Sequence, residues 1–448
     1  MAEQRDIAAG RLDAAAYAAG FETDARVPLD RRRALIEASR CYFCYDAPCV
    51  EACPTGIDIP SFIRKISTDN IRGAALDILE PNIFGGACAR VCPVEELCEE
   101  ACVRDAQETK PVAIGLLQRY ATDLFFETGE QPFARTAATG KKVAVVGAGP
   151  AGLSCAHRLA RLGHAVTVYD ARDKPGGLNE YGIAAYKVVG GFAQREIDFI
   201  LGIGGISIET GKTLGKDLTL EGLRRDYDAV FLGIGQTGVR AIEIAGEDLD
   251  GVEPAVDFIA RLRQAPDLAA LAVGRRVVVI GGGNTAIDAA IQSRRLGADD
   301  VTMIYRRGPD EMGATDHEQE FAQTDGVKIK YWSKPVRFVG SGGGLTGVEF
   351  ERTRMTGGRI EGTGETYLVP ADMALTAVGQ VLVADPVQGG AKEPLDVRGG
   401  RIVTDAMGRT SLKGVYAGGD CIDGKDLTVQ AVEDGKIAAR AIDGDLRG

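Results

Sequence analysis

Apolar residues recur at helical spacing through the first part of the chain. They lie among the arginines of residues 30–40, and they alternate with polar residues at helical spacing from Ile59 to Leu79. Pro60 comes near the first turn of that second stretch, where a helix loses nothing through the missing N–H. The pattern predicts a mostly helical first domain, in which residues 1–40 are also helical.

A polar linker, residues 131–140, precedes a change of pattern. The β-branched run Lys142–Val146 enters a glycine-rich turn, which is followed by a helical stretch and a second short strand, Ala165–Tyr169. The same order recurs from the strand Val277–Ile280 to the strand Val301–Tyr305. Strand, glycine turn, helix and strand in this order are typical of a dinucleotide-binding unit, so we predict two such units.

The chain returns to the first unit near its carboxyl end. A short strand at 415–417 leads into the sequence Gly-Gly-Asp, and Thr428 begins a helix. We therefore predict an α/β fold in which an N-terminal helical domain, residues 1–135, precedes two Rossmann-like nucleotide-binding domains. The second is inserted in the first, so that their bounds are 136–250 plus 380–448 for the first and 251–379 for the second.

Composition narrows the class of protein. The chain has 448 residues, of which 45% are hydrophobic and 26% charged. It contains no apolar run of about 18 residues, so we expect no membrane span. The formal net charge of -12 argues against a nucleic-acid partner, because phosphate binding needs clustered Lys and Arg. The amino end lacks the apolar core of a signal peptide, and we expect a cytoplasmic protein.

Eight of the ten cysteines lie between Cys41 and Cys102. They form two runs, which are spaced Cys41-x2-Cys44-x4-Cys49-x3-Cys53-Pro and Cys88-x3-Cys92-Pro-x4-Cys98-x3-Cys102. Structural zinc sites pair Cys-x2-Cys knuckles across a longer gap, and disulfide frameworks belong to short secreted chains. The first run instead resembles the ferredoxin run, in which the fourth cysteine ligates the other cluster. We predict two iron–sulfur clusters.

The first glycine turn has the residues that a dinucleotide requires. Gly147 allows the tight turn, Gly149 lets the backbone approach a pyrophosphate, and Gly152 packs the helix on the strand. Asp170 ends the next strand, where it can accept hydrogen bonds from a ribose hydroxyl and would repel a 2′-phosphate. This unit is predicted to bind FAD or NAD, with Asp420 holding the ribityl chain of a flavin.

The second unit has Arg306 and Arg307 at the corresponding strand end. Two guanidinium groups there favour a 2′-phosphate, and therefore NADP over NAD. A solvated surface pair is the alternative. The choice between NADH and NADPH stays open at this point.

Three segments carry a resemblance to a known family, and the resemblance covers residues 30 to 441. They read Ile-Asp-Ile-Pro-Ser-Phe-Ile at 57–63, Cys-Pro-Val-Glu-Glu-Leu-Cys at 92–98, and Gly-Leu-Leu-Gln-Arg-Tyr-Ala at 115–121. With these segments, the clusters and the two nucleotide units, the chain resembles the electron-input half of dihydropyrimidine dehydrogenase. In bacteria that half resembles a separate subunit, which works beside an FMN-containing subunit.

The resemblance implies an interlaced set of cluster ligands. One 4Fe-4S cluster would be held by Cys41, Cys44, Cys49 and Cys102, and the other by Cys53, Cys92, Cys98 and Gln118. Glutamine in place of a thiolate would change the charge of the second cluster and hence its potential. Spacing alone favours Cys88 for that position, whereas the family pattern makes Cys88 a buried non-ligand.

The resemblance also implies the nucleotide contacts. For FAD they are Gly147, Ala148, Gly149, Pro150, Ala151, Gly152, Asp170, Gly177, Leu178, Lys187, Leu214, Gly419, Asp420 and Thr428. For NAD(H) or NADP(H) they are Gly282, Gly283, Asn284, Thr285, Arg306, Arg307, Ala377, Val378 and Gly379. NADPH-dependent members place a further arginine where this chain has Gly313, and this departure is compatible with NADH.

The implied function is that of an oxidoreductase subunit. Electrons would pass from NAD(P)H through FAD and two 4Fe-4S clusters to a partner in a hetero-oligomer. The partner would be an FMN- and iron–sulfur-containing, pyrimidine-binding catalytic subunit, which reduces uracil or thymine to the 5,6-dihydropyrimidine.

Three alternatives to this function are considered. The small subunit of glutamate synthase is similar throughout, but its second cysteine run is typically Cys-Pro-Ala-Pro-Cys-Glu and its later ligand is a glutamate, so Gln118 favours the pyrimidine enzyme. A disulfide reductase would need a Cys-x2-Cys pair near the flavin, and neither Cys155 nor Cys421 has such a partner. A non-catalytic electron-transfer module is the third alternative.

Overall fold

The computed structural model describes residues 6–448, and its amino-terminal part contains short helices joined by turns. Up to the linker, the helices are Ala14–Phe21, Arg31–Ala38, Pro48–Glu51, Ile59–Ser67, Ile71–Leu79, Gly85–Val91, Val103–Glu108 and Ile114–Glu127, with one 3-10 turn at Val94–Glu96. Buried apolar side chains from these helices form one core, which includes Phe62, Ile63, Ile78 and Leu117. The predicted helical character of this region is confirmed.

Two details of the helical prediction were wrong. Residues 6–40 are not one helical stretch, because a strand at Ile7–Ala8 comes first and the two helices that follow begin separately. Each begins at an aspartate, Asp13 or Asp30, whose side chain accepts a hydrogen bond from a backbone N–H three residues later. Residues 1–5 lie outside the described part of the chain.

The stretch from residue 59 to residue 79 is also divided, into the two helices Ile59–Ser67 and Ile71–Leu79. Asp69 adopts φ 62°, which cannot continue a right-handed helix. Asn70 then caps the second helix, because its side-chain oxygen accepts a hydrogen bond from Gly73 N–H at 3.0 Å.

The first nucleotide-binding fold is a five-stranded parallel sheet. Its strands, in spatial order, are Val415–Ala417, Ala229–Leu232, Lys142–Val146, Ala165–Tyr169 and Ile206–Glu209. The helices of this fold are Pro150–Arg161, Leu178–Tyr181, Phe192–Leu201, Leu220–Asp226 and Thr428–Arg447, with a 3-10 turn at Asp385–Val387. The 3-10 turn Ala185–Lys187 belongs with the second fold. The strand from the carboxyl end forms one edge of this sheet, so the predicted return of the chain to the first fold is confirmed.

The second fold is also a five-stranded parallel sheet. Its strands are Lys328–Lys330, Asp300–Ile304, Arg276–Ile280, Met373–Thr376 and Val252–Pro254. Its helices are Ala255–Gln264, Asn284–Arg295 and Asp316–Thr324, with 3-10 turns at Leu268–Ala270 and Pro309–Glu311. The sequence of this fold lies between two strands of the first sheet, which confirms the predicted fold class, including the insertion.

Several strands lie outside the two parallel sheets. An antiparallel sheet contains Ser333–Ser341, Gly344–Thr356 and Arg359–Pro370, and the amino-terminal strand Ile7–Ala8 pairs with Val273–Gly274. The remaining short strands are Gly238–Val239, Gln380–Val381, Val397–Arg398 and Arg401–Ile402. No helix within residues 6–448 combines the length and the apolar character that crossing a bilayer requires.

The chain divides into two compact units. Within the described residues, one contains 6–25, 181–190 and 239–380, and the other contains 26–180, 191–238 and 381–448. The second of these units includes both the cysteine-rich helices and the first parallel sheet. The three domain boundaries given by the sequence stay a prediction.

Candidate functional site

Four cysteines line one pocket in the helical region. Cys41, Cys44, Cys49 and Cys102 surround it together with the apolar side chains of Ile59, Ile63 and Val112. All ten cysteines of the chain are free thiols. Burial is the main cause that raises the pKa of Cys49 to about 12, and the other three thiols of the set add to it. The pocket thus holds four thiols close together in an apolar surrounding.

This arrangement fits an iron–sulfur cluster. Thiols that burial and proximity keep protonated can all ionise only if a strong positive charge is bound among them, and coordinated iron supplies it. No three His, Cys, Asp or Glu side chains within residues 6–448 are placed as ligands of a single metal ion. The four thiols line a pocket instead.

A second set of thiols lies beside the helix Gly85–Val91. A hydrogen bond with Cys88 is the main cause that raises the pKa of Cys92, followed by burial and by the nearby Cys98 and Cys53. Burial likewise raises the pKa of Cys98, and among the smaller causes are Cys53 and Cys49. Cys49 belongs to the first set, so the two sets are neighbours.

The two candidates for the fourth position of the second set lie on or against the helix Gly85–Val91. Cys88 is 2% exposed and contacts Cys92. Gln118, on the facing helix Ile114–Glu127, is 8% exposed, and its Nε2 donates a hydrogen bond to Gly85 O at 2.7 Å. That bond fixes the amide nitrogen against the Gly85–Val91 helix and leaves the amide oxygen of Gln118 as the atom that can bind iron.

The first glycine turn has a geometry that only glycine permits at two positions. Gly147 adopts φ 101°, and a Cβ on it would lie 2.2 Å from Gly233 O. A Cβ on Gly152 would lie 1.8 Å from Gly147 O, because the helix Pro150–Arg161 begins directly against the turn. Gly149 has no such obstruction, and the only nearby atom is Gly177 Cα at 3.7 Å. The backbone there is open to a phosphate.

Most of the other predicted flavin contacts surround this turn. Asp170 accepts hydrogen bonds from Ala148 N–H at 2.6 Å and Arg172 N–H at 2.8 Å, and burial raises its pKa. A Cβ on Gly419 would lie 2.9 Å from that of Ala151, and Thr428 donates a hydrogen bond to Asn179 at 3.0 Å. Burial raises the pKa of Asp420 to about 6. The structure therefore brings together Gly147, Ala148, Gly149, Pro150, Ala151, Gly152, Asp170, Gly177, Leu178, Gly419, Asp420 and Thr428.

The other two predicted flavin contacts are Leu214 and Lys187. Leu214 is 8% exposed and belongs to the apolar core behind the first sheet. Lys187 belongs to the other compact unit, where its ammonium lies 2.8 Å from both Asp288 and Glu318. The predicted contact of Lys187 with flavin stays a prediction.

The second glycine turn lies at the carboxyl edge of the second sheet. A Cβ on Gly281 would lie 2.4 Å from Ala377 O, and the helix Asn284–Arg295 begins directly after the turn. The segments that follow three adjacent strands of this sheet meet at the same edge. The structure therefore brings together Gly282, Gly283, Asn284, Thr285, Arg306, Arg307, Ala377, Val378 and Gly379.

The charges near this second turn are not neutralised by the protein. Within residues 6–448, no ion pair involves Arg306 or Arg307. Gly313 lies over the turn, because its Cβ position is 3.9 Å from Gly282 O and 4.0 Å from Gly283 Cα. Residue 313 therefore lies next to the second glycine turn, and a Cβ there meets no closer atom.

Four residues near the sites were not predicted from the sequence. Glu196 accepts hydrogen bonds from Gly86 and Ala87, and Asp434 accepts one from Gly419. Thr55 lies next to Cys53, and Lys436 donates a hydrogen bond to Thr55 O. Their spacing follows no motif. Only Thr55, which follows the Cys-Pro step by one residue, was close to a predicted ligand in the sequence.

Comparison with known proteins gives matches over nearly the whole chain. The model for the pyridine nucleotide-disulphide oxidoreductase family matches residues 141–435. The model for dihydropyrimidine dehydrogenase domain II, 4Fe-4S cluster, matches residues 20–130. Together they cover the cysteine-rich helices and both glycine turns.

Two relatives have similar identities. The glutamate synthase [NADPH] small chain of Escherichia coli K12 is 35% identical over 439 residues, covering 93% of this chain and 92% of the relative. The NAD-dependent dihydropyrimidine dehydrogenase subunit PreT of the same organism is 36% identical over 415 residues, with coverages of 93% and 95%. Among solved structures, FprA of Mycobacterium tuberculosis in complex with NADPH matches with TM-score 0.56 and 20% identity, covering 68% of this chain and 84% of that chain.

Proposed function

This chain belongs to the pyridine nucleotide-disulphide oxidoreductase family, and we propose that it is the electron-input subunit of a dihydropyrimidine dehydrogenase. It is an NAD(P)H-dependent oxidoreductase, and family membership confirms the predicted FAD, nicotinamide nucleotide and 4Fe-4S cofactors. Its partner is an FMN- and iron–sulfur-containing subunit, which reduces uracil or thymine to the 5,6-dihydropyrimidine.

One observation carries the electron-transfer part of this proposal. Both sets of cysteines and the first glycine turn belong to a single compact unit, which contains residues 26–180, 191–238 and 381–448. When bound, FAD accepts an electron pair as hydride from NAD(P)H, and each 4Fe-4S cluster carries one electron at a time. The protein would hold the flavin and the clusters in one compact unit, so that electron transfer between them requires no movement of one relative to the other.

The ligand sets follow the interlaced order. The shared pocket supports Cys41, Cys44, Cys49 and Cys102 as one set. The mutual proximity of Cys53, Cys92 and Cys98 supports the other set, with Gln118 as its fourth ligand. The family pattern favours Gln118 over Cys88 for this position, and the hydrogen bond from Gln118 to Gly85 O holds its amide against the helix that carries Cys88.

The first glycine turn holds the pyrophosphate of FAD. The helix Pro150–Arg161 directs its amino end toward the turn, and that end attracts a phosphate. Asp170 orients the ribose next to the flavin turn, and Asp420 lies at the end of the returning strand, next to the helix that begins at Thr428. At the second turn, the guanidinium groups of Arg306 and Arg307 bind the ribose phosphate side of the nicotinamide nucleotide.

The glutamate synthase small subunit is the competing assignment, since its identity to this chain is about the same. Two features favour the pyrimidine enzyme. The spacer Val-Glu-Glu-Leu separates Pro93 from Cys98, and Gln118 stands where the competing family has a glutamate.

Copurification with the partner tests this assignment. The chain is expressed with an affinity tag in its own cells, the bound FMN-containing subunit is purified with it, and NADH or NADPH oxidation is followed on addition of uracil or thymine. We expect oxidation with a pyrimidine and none with glutamine plus 2-oxoglutarate. Oxidation only with the second pair of substrates would assign the chain to glutamate synthase, and no oxidation with pyrimidines would contradict the proposal.

A matched pair of cysteine variants links the assay to the clusters. Cys41→Ser removes a ligand of the first set and should abolish pyrimidine-dependent oxidation while NAD(P)H still reduces the flavin. Cys155 is fully buried in the first nucleotide-binding fold, away from both sets, and Cys155→Ala should retain the oxidation.

A further inference from the structure

A buried lysine of the carboxyl-terminal helix reaches the cysteine-rich helices. Lys436 is 6% exposed, and its ammonium donates hydrogen bonds to Thr55 O at 3.2 Å and to Pro81 O at 3.0 Å. Its third neighbour is Glu433, whose Oε2 lies 2.5 Å away. Because burying an ammonium is costly unless it is paired, these three oxygens define the position of Lys436 closely.

The helix that carries Lys436 is itself held against the first glycine turn. A Cβ on Gly435 would lie 2.1 Å from Ala151 O, so the helix Thr428–Arg447 contacts the backbone of the helix Pro150–Arg161 directly. Ser154 adds a hydrogen bond from its hydroxyl to Val432 O at 2.7 Å. The position of Lys436 is thereby fixed relative to the proposed flavin turn.

Thr55 connects this lysine to a proposed cluster ligand. Its hydroxyl oxygen lies 3.3 Å from Cys53 Sγ, and the residue is 4% exposed. A cysteine that binds iron is a thiolate and carries no proton, so the hydroxyl of Thr55 must be the donor in that state. The backbone carbonyl of the same residue is the group that Lys436 holds.

We infer that Thr55 donates a hydrogen bond to the Cys53 sulfur of the second cluster and raises its reduction potential, and that Lys436 is the positioning residue for Thr55. Hydrogen bonds to cluster sulfurs stabilise the reduced state, which carries one more negative charge. The ammonium of Lys436 is paired with Glu433, so its main effect acts through Thr55 and not through its own charge. The inference rests on the proposed assignment of a 4Fe-4S cluster to Cys53.

Redox titration of the purified chain followed by electron paramagnetic resonance tests this. The chain is reduced with dithionite and mediators, so neither NAD(P)H nor the partner is needed. Thr55→Val should make reduction of one cluster about fivefold less favourable, as expected for loss of one hydrogen bond of about 1 kcal/mol. At 59 mV per tenfold change this is a decrease of about 40 mV. The other cluster should keep its potential.

Three further variants separate positioning from general loosening. Thr55→Ser keeps the hydroxyl and should restore the wild-type potential. Lys436→Met should lower the potential of the same cluster, and adding it to Thr55→Val should have no further effect, because both act through one hydrogen bond. Ser154→Ala removes a hydrogen bond between the helices Pro150–Arg161 and Thr428–Arg447 without changing a contact of Thr55. It should leave the potentials of both clusters unchanged.

The outcomes are distinct from those of the pyrimidine assay. An unchanged potential in Thr55→Val, or an equal shift in Ser154→Ala, would overturn the inference while leaving the proposed function intact. If Thr55→Val does not assemble the cluster, Thr55→Ala is compared with Thr55→Ser, and equal potentials would overturn the inference. Additive shifts of the Thr55 and Lys436 variants would overturn the positioning role of Lys436.

Discussion

Gln118 is the residue whose proposed role distinguishes this chain most sharply from a simple cysteine-ligated protein. Its amide nitrogen is held by Gly85 O, and Cys88 lies next to Cys92 as the competing ligand. Spacing alone favoured Cys88, and only the family pattern pointed to Gln118. The reason is physical, because a ligand from a separate helix is selected by packing of the two helices and leaves no trace in cysteine spacing.

Gln118→Ala should therefore alter one cluster only. Loss of the ligand should change the electron paramagnetic resonance signal or the potential of the second cluster, since ligand type and charge set both. Cys88→Ser is the matched control and should leave both clusters as in the wild type. The reverse pattern, with Cys88→Ser altering a cluster and Gln118→Ala altering none, would identify Cys88 as the ligand.

Gly313 should limit the use of NADPH. A side chain added there meets no atom closer than 3.9 Å and would point over the second glycine turn. Gly313→Arg should raise the preference for NADPH over NADH about tenfold or more, because a hydrogen bond to a charged group contributes about 1.5–3 kcal/mol. Stopped-flow rates of flavin reduction with each nucleotide measure this. Gly313→Gln, which adds length without charge, should not change the preference, and an equal effect of both variants would contradict the explanation.

Glu196 is predicted to make stability depend on pH. It is 1% exposed, and burial raises its pKa to about 8 although Gly86 and Ala87 donate hydrogen bonds to it at 2.9 and 3.0 Å. Arg90 and Asp123 are the charged groups that face it. The unfolded chain loses this proton near pH 4.5, whereas the folded chain keeps it to about pH 8. The contribution of Glu196 to the free energy of unfolding is therefore fully present below about pH 4.5, and it is lost as the pH rises to about 8.

Across the window, the free energy of unfolding should fall by about 1.4 kcal/mol for each pH unit because of this one group. Glu196→Gln carries no titratable proton, so the difference in melting temperature between this variant and the wild type should change steadily from about pH 5 to about pH 8. Glu130→Gln changes an exposed carboxylate paired with Arg72 and should keep the wild-type dependence. A difference that does not vary with pH would show that Glu196 is ionised in the folded chain.

At the scale of elements, the two parallel sheets were predictable and the antiparallel sheet was not. The β-branched runs at 142–146 and 277–280 enter glycine turns, and this local pattern is sufficient to predict them. The strands between Ser333 and Pro370 contain many charged residues and are stabilised by pairing with one another. Their sequence has no local signal of comparable strength. The ion pairs of Lys187 with Asp288 and Glu318 were not predicted either, because the three residues are far apart in the sequence.

The helix Pro150–Arg161 packs so closely on the first glycine turn that Gly152 has no room for a side chain. Gly152→Ala places a Cβ 1.8 Å from Gly147 O, so the helix must move away from the turn. The chain should lose at least about 3 kcal/mol of stability and most of its bound flavin. Flavin absorbance per chain and the melting temperature measure both. Gly444 lies in the helix Thr428–Arg447, and a Cβ added to it would meet no atom within 4 Å. Gly444→Ala should therefore raise the free energy of unfolding by about 0.5–1 kcal/mol. Full flavin content in Gly152→Ala would contradict the packing argument.

The whole molecule combines a flavin domain, which takes electrons in pairs, with iron–sulfur clusters, which carry them one at a time. The fold class and the cofactors were predictable because each depends on local motifs. The identity of the final electron acceptor was not predictable from such motifs. It depends on the surface that binds the partner subunit, and neither hydrophobic periodicity nor cysteine spacing reveals that surface.

The central claim is that electrons from NAD(P)H pass through the flavin to the clusters of this chain. Anaerobic mixing of the purified chain with NADH and, separately, NADPH, followed by flavin absorbance and freeze-quench electron paramagnetic resonance, tests it most directly. We expect flavin absorbance to fall first, and signals of reduced clusters then to appear, with at least one of the two nucleotides. If dithionite reduces both clusters but neither nucleotide produces a cluster signal, the account is contradicted, and a flavin that neither nucleotide reduces would indicate a non-catalytic electron-transfer module.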